Sequence, residues 1–192
     1  MKNLRLGILV SGRGSNLQAL LDAVAAKTLH AEIALVVSDK PHAYALKRLE
    51  NTGVPARVFE RKTYSDIQGF EAAIAEALEE SGVDLVVLAG FMRVLSPFFV
   101  RRFSGRIVNI HPSLLPSFPG LHAQRQAVLH GVKISGCTVH LVDESLDGGP
   151  ILAQAAVPVL AGDDEETLSA RILKEEHRLL PETIENLILT KN

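Results

Sequence analysis

Two polar side chains at the end of an apolar run, Asn109 and His111, have the residue types and the spacing to do chemistry. Their segment, 106–111, predicts a strand, and residues two apart in a strand point to the same face. An amide that donates hydrogen bonds beside an imidazole can bind an oxygen on which negative charge develops, and the imidazole can move a proton. The alternative, from these two residues alone, is a strand end at which both side chains face solvent.

A carboxylate that could join this pair is Asp147, in the loop segment 146–150, Leu-Asp-Gly-Gly-Pro. The glycines allow the backbone to approach a ligand closely, and a carboxylate near His111 could relay a proton through water. The alternative is a solvated turn, because Asp-Gly is a common turn sequence. His140, in an apolar strand-like segment, is interpreted as a residue that supports the site by contact and does not itself react.

A glycine loop, residues 12–16, lies between the first predicted strand and the first predicted helix. Backbone N–H groups and the helix dipole favour an anion there, and Ser15 and Asn16 add donors, so we expect a monophosphate site. One alternative is a tight turn with Ser15 as the helix cap. Another is a dinucleotide site with Asp39 on the ribose, but Leu17 occupies the position of the third glycine in that motif.

Apolar runs alternate with helical periodicity along the chain, which predicts an α/β fold of the doubly wound class. Strands are expected at 4–10, 33–37, 54–59, 84–89, 106–110, 137–142 and 151–157. Helices are expected at 16–26, 43–52, 65–81, 97–103 and 165–189, with a break or kink at Pro181. The last two strands follow one another through a Gly-Gly-Pro turn, which predicts an antiparallel extension of a mostly parallel sheet. Residues 1–192 are expected to form one domain.

The composition excludes several classes of protein. The 192 residues carry a formal net charge of −2, without the basic surface of a nucleic-acid-binding protein. A single cysteine, Cys137, cannot form an internal disulfide, and no Cys/His spacing predicts a metal site. The sequence shows neither a signal peptide nor a membrane span, so we expect a cytoplasmic location and no membrane partner.

Four motifs in this order closely resemble the folate-dependent formyltransferases that act on glycinamide ribonucleotide. The motifs cover residues 12–16, 88–93, 109–116 and 146–150, and the resemblance extends over almost the whole chain. It implies a Rossmann-like formyltransferase fold with a phosphate-binding N-terminal half and a folate-binding C-terminal half. It also implies transfer of the formyl group of 10-formyltetrahydrofolate, the co-substrate, to the amine of glycinamide ribonucleotide in purine synthesis, without a metal. A monomer or a weak homodimer is expected.

The resemblance also assigns roles to residues. Asn109 and His111 would stabilise a tetrahedral oxyanion, and Asp147 would assist proton movement. The residues implied for the ribonucleotide are Gly14, Ser15, Asn16 and Glu176. The residues implied for the folate are Met92, Arg93, Val94, Leu95, Asp143, Glu144, Ser145, Leu146 and Asp147. The family often has an arginine near the position of Ile67, and Arg61 or Lys62 is a candidate replacement.

Four other functions compete with this interpretation. A formyltetrahydrofolate deformylase shares the Asn-x-His and Asp residues, although we expect it to carry an N-terminal regulatory domain. A methionyl-tRNA formyltransferase is expected to carry a further C-terminal domain. From different classes, a nucleotide-binding module would need the glycine loop without Asn109, His111 and Asp147, and a nicotinamide-dependent oxidoreductase would need the dinucleotide motif.

Overall fold

Seven strands form one sheet in the computed structural model, which describes residues 3–190. They are β1 (Leu4–Val10), β2 (Ala31–Ser38), β3 (Ala56–Val58), β4 (Leu85–Leu88), β5 (Ile107–His111), β6 (Ile134–Leu141) and β7 (Ile151–Pro158). Their order across the sheet is β3-β2-β1-β4-β5-β6-β7. The strands β1 to β5 pair in parallel, whereas β6 and β7 pair antiparallel. The predicted α/β class and the antiparallel C-terminal extension are confirmed.

Within residues 3–190, five α-helices and one short 3-10 helix lie between the strands, and a sixth α-helix follows the last strand. The α-helices are α1 (Ser15–Ala25), α2 (Tyr44–Lys47), α3 (Ile67–Glu80), α4 (Pro97–Arg102), α5 (Ala123–Leu129) and α6 (Glu165–Leu189), and the 3-10 helix is Arg61–Thr63. The helix predicted at 43–52 is only four residues long. After it the backbone hydrogen bonds join residues three apart, such as Arg48 N to Ala45 O at 3.2 Å, so the chain winds too tightly for an α-helix.

Of the break or kink predicted at Pro181, the break does not occur, because α6 is one continuous helix of 25 residues that includes this proline. Its first turn is closed by a capping box in which Asp164 and Thr167 bond each other's backbone. Leu180 and Ile184, on either side of the proline, are fully buried. Packing of this apolar face offsets the hydrogen bond that proline cannot donate.

Each face of the sheet packs against its own apolar core. In β1, Ile8 packs with α1 and α6, while the next residue, Leu9, packs with α3 and α4. The same alternation holds in β5, where Val108 and Ile110 lie on the side of α1 and α6. Asn109 and His111 therefore point to the opposite face, the one that α3 and α4 cover elsewhere in the sheet.

Two features of the described chain bear on the excluded classes. Within residues 3–190, no helix is both long and apolar enough to cross a membrane. Over the same range, no group of three or more His, Cys, Asp or Glu side chains could hold a metal ion. Cys137 is buried, and burial raises the pKa of its thiol to about 12.

Candidate active site

The antiparallel register of β5 and β6 brings polar side chains together on one face. Asn109 lies opposite His140, and His111 lies opposite Thr138. Residues directly opposite in neighbouring strands share a face, so these four side chains form one cluster. Thr138 is fully buried and His140 is 2% exposed, which places a polar group in a part of the sheet that is otherwise apolar.

Asp147 reaches this cluster from the loop after β6. Its Oδ2 lies 3.5 Å from His111 Nδ1 and accepts a hydrogen bond of 2.8 Å from the backbone N–H of Gly120. The other ring nitrogen of His111, Nε2, lies 2.9 Å from the carbonyl oxygen of Phe118. Both ring nitrogens thus face acceptors, and an imidazole with a proton on each nitrogen can donate to both.

His140 contacts Asn109 directly. Its Nε2 lies 3.1 Å from Asn109 Nδ2 and 3.9 Å from Asp147 Oδ1, and its Nδ1 lies 2.9 Å from the carbonyl oxygen of Leu141. Burial lowers the pKa of His140. The lowered pKa favours the neutral ring beside Asn109.

The glycine loop has the left-handed backbone that opens α1. Gly14 is the N-cap of this helix at φ 68°, so the alternative with Ser15 as the cap is wrong. A Cβ on Gly14 would lie 2.5 Å from Ala45 Cβ and 2.7 Å from Ala45 Cα. Both the backbone conformation and the available space at position 14 therefore require glycine. The backbone N–H groups of the loop lie just after β1, at the N-terminus of α1, where an anion could bind.

Asn16 is directed to α6 and not to the loop. Its Nδ2 donates to Glu176 Oε2 at 2.8 Å, and its own Oδ1 is buried without a partner. Burial raises the pKa of Glu176, which favours the neutral acid. The structure brings these two expected ribonucleotide residues together, but it directs the Asn16 amide nitrogen at a carboxyl group and not at a phosphate.

The loop after β4 joins the glycine loop through Ser11, whose Oγ accepts from Met92 N at 2.8 Å. Met92 and Val94 are 67% and 75% exposed, and Leu146, from the loop after β6, is 58% exposed. Leu95 instead packs against the core on the side of α3 and α4. We call Met92, Val94 and Leu146 the apolar rim.

Arg93 points toward the end of β2. Its Nε donates to Asp39 Oδ2 at 2.6 Å, and its guanidinium lies 5.5 Å from the centre of the Phe70 ring. The Asp39 side chain is only 1% exposed. Because Oδ2 of this carboxylate is already paired with Arg93, a ribose bound there would compete with an existing ion pair, which weakens the dinucleotide alternative.

The basic residues near Ile67 already have contacts within the protein. Ile67 is the first residue of α3 and is 41% exposed. Arg61 Nη1 donates to the carbonyl of Tyr64 at 2.9 Å, and Lys62 Nζ lies 2.8 Å from Glu60 Oε2. Lys62 is 80% exposed and is the freer of the two to meet an anion.

The remaining loop residues of the expected folate site make local contacts. Asp143 accepts from Ser145 N at 2.8 Å and from the Ser145 hydroxyl, and these bonds lower the pKa of its carboxyl. Glu144 pairs with Arg101 of α4 at 3.2 Å. These contacts fix the start of the loop that carries Asp147.

Sequence reasoning missed two features of this region. Thr138 donates to Ser113 O at 2.7 Å and accepts from Leu115 N and Gln154 Nε2, both at 3.0 Å, which ties the loop after β5 to β6 and β7. The pattern Thr138-x-His140, a second pair of polar residues two apart, was the available signal. The other missed feature is an open cleft of about 560 Å³ beyond the glycine loop. Its lining includes Arg13, Lys40, His42, Tyr44 and Lys62, and none of the residues expected to react.

Comparison with known proteins adds a family to this geometry. Residues 4–184 match the family model described as Formyl transferase. The chain is 42% identical over 188 residues to phosphoribosylglycinamide formyltransferase of Bacillus subtilis, covering 98% of this chain and 96% of that protein. It is 50% identical over 186 residues to the trifunctional purine biosynthetic protein adenosine-3 of Drosophila melanogaster, covering 96% of this chain but only 14% of that protein.

Solved structures agree with these relatives. Glycinamide ribonucleotide transformylase 1 of Symbiobacterium toebii superposes with a TM-score of 0.93 at 52% identity, covering 95% of this chain and 86% of that one. Phosphoribosylglycinamide formyltransferase of Brucella melitensis gives a TM-score of 0.92 at 51% identity, with coverage of 97% and 96%.

Proposed function

The chain belongs to the formyl transferase family, and we propose that it transfers the formyl group of 10-formyltetrahydrofolate to the amine of glycinamide ribonucleotide in purine synthesis. The observation that carries this proposal is the cluster of Asn109, His111 and Asp147 in a chain whose relatives are named for that reaction. We propose that residues 1–192 act as one domain, with the ribonucleotide phosphate held by the N-terminal half and the folate by the C-terminal half.

The oxyanion is stabilised by Asn109 and His111. The ribonucleotide amine attacks the formyl carbon, and the formyl oxygen takes up negative charge in a tetrahedral intermediate. Asn109 Nδ2 donates to this oxygen, and a doubly protonated His111 adds positive charge beside it. For His111 to donate directly, its Nε2–H must leave the Phe118 carbonyl, 2.9 Å away, for the oxyanion.

The proton follows a path through Asp147. The attacking amine must lose a proton, and the folate nitrogen must gain one when the carbon–nitrogen bond breaks. Asp147 lies 3.5 Å from His111 and accepts a backbone hydrogen bond from Gly120, which keeps its carboxylate in place. It can take the proton from the amine directly or through water and return it to the leaving nitrogen.

The ribonucleotide is held at the glycine loop. Backbone N–H groups at Gly14 and Ser15, at the N-terminus of the 11-residue helix α1, bind the phosphate. Glu176 accepts from Asn16 and orients the glycinamide end. We assign Asn16 to the positioning of Glu176, while its backbone N–H remains available to the phosphate.

The folate lies against the apolar rim. Met92 and Val94, in the loop after β4, and Leu146, in the loop that carries Asp147, present exposed apolar surface, which suits the flat ring of a pterin. The segments 92–95 and 143–147 line this site. Lys62, which is exposed near Ile67, is the candidate to meet the carboxylate end of the folate. The cytoplasmic location, the absence of nucleic-acid and membrane partners, and the monomeric or weakly dimeric state stay predictions.

One assay separates this function from its alternatives. The protein is mixed with glycinamide ribonucleotide and a 10-formylfolate, and the folate absorbance is followed with and without the ribonucleotide. A change that requires the ribonucleotide supports the transferase. Release of formate without it indicates a deformylase, and tight nucleotide binding with no absorbance change indicates a binding module.

A variant tests the phosphate loop separately. Replacing Ser15 with Ala is expected to raise the Michaelis constant for the ribonucleotide while leaving that for the folate unchanged, because the hydroxyl is a donor at the phosphate. The matched control is Ser65→Ala, in the exposed turn before α3. An unchanged Michaelis constant for the ribonucleotide contradicts the assignment of this hydroxyl to the phosphate.

A further inference from the structure

We propose that His140 is a positioning residue: as a neutral ring it accepts a hydrogen bond from Asn109 and so fixes which way the Asn109 amide points. The inference rests on the proposed function only in its consequence for turnover. The geometry itself is independent of any substrate, because it follows from contacts among β5, β6 and the loop after β6.

The proton position on His140 follows from its two neighbours. Nδ1 lies 2.9 Å from the carbonyl oxygen of Leu141, which only accepts hydrogen bonds, so Nδ1 must carry a hydrogen. In the neutral ring Nε2 then has a lone pair and no hydrogen. Only the Nδ2 end of Asn109 can face it at 3.1 Å, because the Oδ1 end would set two lone pairs against each other.

This orientation places the amide donor on the reactive side of the cluster. His140 Nε2 is also 3.9 Å from Asp147 Oδ1, so one ring atom lies close to both the Asn109 amide nitrogen and the Asp147 carboxylate. One of its two hydrogens is used by His140. The second remains for the oxygen of the reacting formyl group, already aimed before the substrate arrives.

Protonation of His140 reverses this arrangement. A hydrogen on Nε2 would favour the Oδ1 end of Asn109 and the Oδ1 atom of Asp147, both of which accept. The amide would turn over and withdraw its donor, and Asp147 would be drawn from His111 toward His140. The same side chain therefore acts as a switch on two members of the cluster.

The surroundings keep the switch in its neutral state near neutral pH. Burial, with His140 2% exposed, lowers the pKa of the ring, and the charge of His111 acts in the same direction. The Leu141 carbonyl and the carboxylates of Asp147 and Asp143 act in the opposite direction, without overcoming burial. Turnover that depends on His140 is thus retained above its lowered pKa and lost as the pH falls through it.

Two substitutions separate acceptance of the hydrogen bond from simple packing. His140→Leu fills the space without an acceptor, whereas His140→Gln can offer an amide oxygen to Asn109 and cannot be protonated. We expect His140→Leu to lower kcat by about tenfold to a hundredfold, somewhat less than the loss of an oxyanion donor, with both Michaelis constants within about twofold. His140→Gln should retain most of kcat and lose the part of the acidic limb of the pH profile that His140 causes.

A double-mutant cycle tests whether His140 acts through Asn109. In an Asn109→Ala background, His140→Leu should cause no further loss of kcat, because the side chain that it positions is gone. An equal loss in both backgrounds overturns the proposal. So does an acidic limb in His140→Gln that matches that of the unmodified protein.

Histidine nitrogen NMR of the unmodified protein tests the proton position without any variant or assay. The expected state of His140 at neutral pH is the neutral ring with hydrogen on Nδ1. A hydrogen on Nε2, or a doubly protonated ring, overturns the proposal even if the protein is an active transferase. Failure of formyl transfer together with the expected tautomer would instead contradict the proposed function alone.

Discussion

The two halves of the sheet present functional groups in different ways. In the parallel half, the groups that we propose bind a ligand are backbone N–H groups of the glycine loop, whose shape depends on the close approach of Gly14 to Ala45. In the antiparallel half, they are side chains on the strands, aligned by the pairing of Asn109 with His140 and of His111 with Thr138.

The difference indicates what each half can tolerate. A backbone site survives most changes of side chain but fails when a Cβ alters its shape. A site made of cross-strand side chains keeps its shape when one of them is shortened, but it loses the chemistry. Substitutions in the first half should therefore act on binding and stability, and those in the second on turnover.

The largest expected effect is at His111. His111→Ala should lower kcat by about 10²–10³-fold, a barrier change of about 2.7–4 kcal/mol, because an oxyanion donor and its charge are removed. Steady-state kinetics with both substrates measures this loss, and the thermal unfolding midpoint verifies folding. His30→Ala, an exposed histidine paired with Glu185, is the control and should be unaffected. Near-normal turnover in folded His111→Ala would place the chemistry elsewhere.

The next largest effect is expected at Gly14, in the parallel half of the sheet, where a substitution should lower stability and weaken binding more than it lowers turnover. Gly14→Ala should lower the free energy of unfolding by about 2–3 kcal/mol, because φ 68° is strained for alanine and its Cβ would meet Ala45 at 2.5 Å. Urea unfolding and the Michaelis constant for the ribonucleotide measure the two consequences.

The matched control for Gly14 is its neighbour in the same loop. A Cβ on Gly12 would meet nothing within 4 Å, so Gly12→Ala should change stability by less than about 0.5 kcal/mol. If both substitutions destabilise equally, the loop is sensitive at every position, and the shape argument for Gly14 fails.

Local patterns were sufficient for most of the fold. Continuous apolar runs predicted β1, β2, β4 and β5, and the periodicity of 165–189 predicted α6. The segment 43–52 was mispredicted because its helical pattern does not reveal bonds between residues three apart. No break occurs at Pro181, because tertiary packing of α6 outweighs the local penalty.

The candidate site was predictable only in part, because its contacts join distant segments. Asn109 and His111 share a face by spacing alone, but the 3.5 Å between His111 and Asp147 depends on a loop that returns over the sheet. The link from Asn16 to Glu176 spans 160 residues, and the pairing of Arg93 with Asp39 spans 54. Neither link leaves a signal in local sequence, so Asn16 and Arg93 were assigned to ligands while their side chains meet carboxyl groups.

A smaller effect, on binding of the ribonucleotide, is expected at Glu176. Glu176→Gln should raise the Michaelis constant for the ribonucleotide by about tenfold, near 1.4 kcal/mol, because the carboxyl group that orients the glycinamide end is replaced by an amide with a single acceptor oxygen. Glu182→Gln, an exposed residue of the same helix, is the control. If instead kcat falls and this Michaelis constant is unchanged, Glu176 belongs with the reacting groups of the antiparallel half.

The effect of Glu176→Gln on stability should also depend on pH. Burial raises the pKa of Glu176, so the folded protein pays to ionise it. The two proteins should be similar in stability below the ordinary pKa of glutamate. The Gln variant should become the more stable as the pH rises toward the raised value, and melting temperatures across acidic to neutral pH measure the difference. If the difference in melting temperature between the two proteins narrows as the pH rises, the pKa of Glu176 is not raised in the folded protein.

The smallest effect lies on the other face of β6, at Cys137. This side chain is fully buried and points away from Thr138 and His140, toward the core on the side of α1 and α6. Cys137→Ala should lower the free energy of unfolding by about 1 kcal/mol, for the loss of one buried sulfur, and leave kcat unchanged. With its pKa at about 12, the thiol should also resist alkylation in the native protein. A fall in kcat without a loss of stability would mean that the strand transmits changes between its faces, and the separation of packing from chemistry in the antiparallel half would not hold.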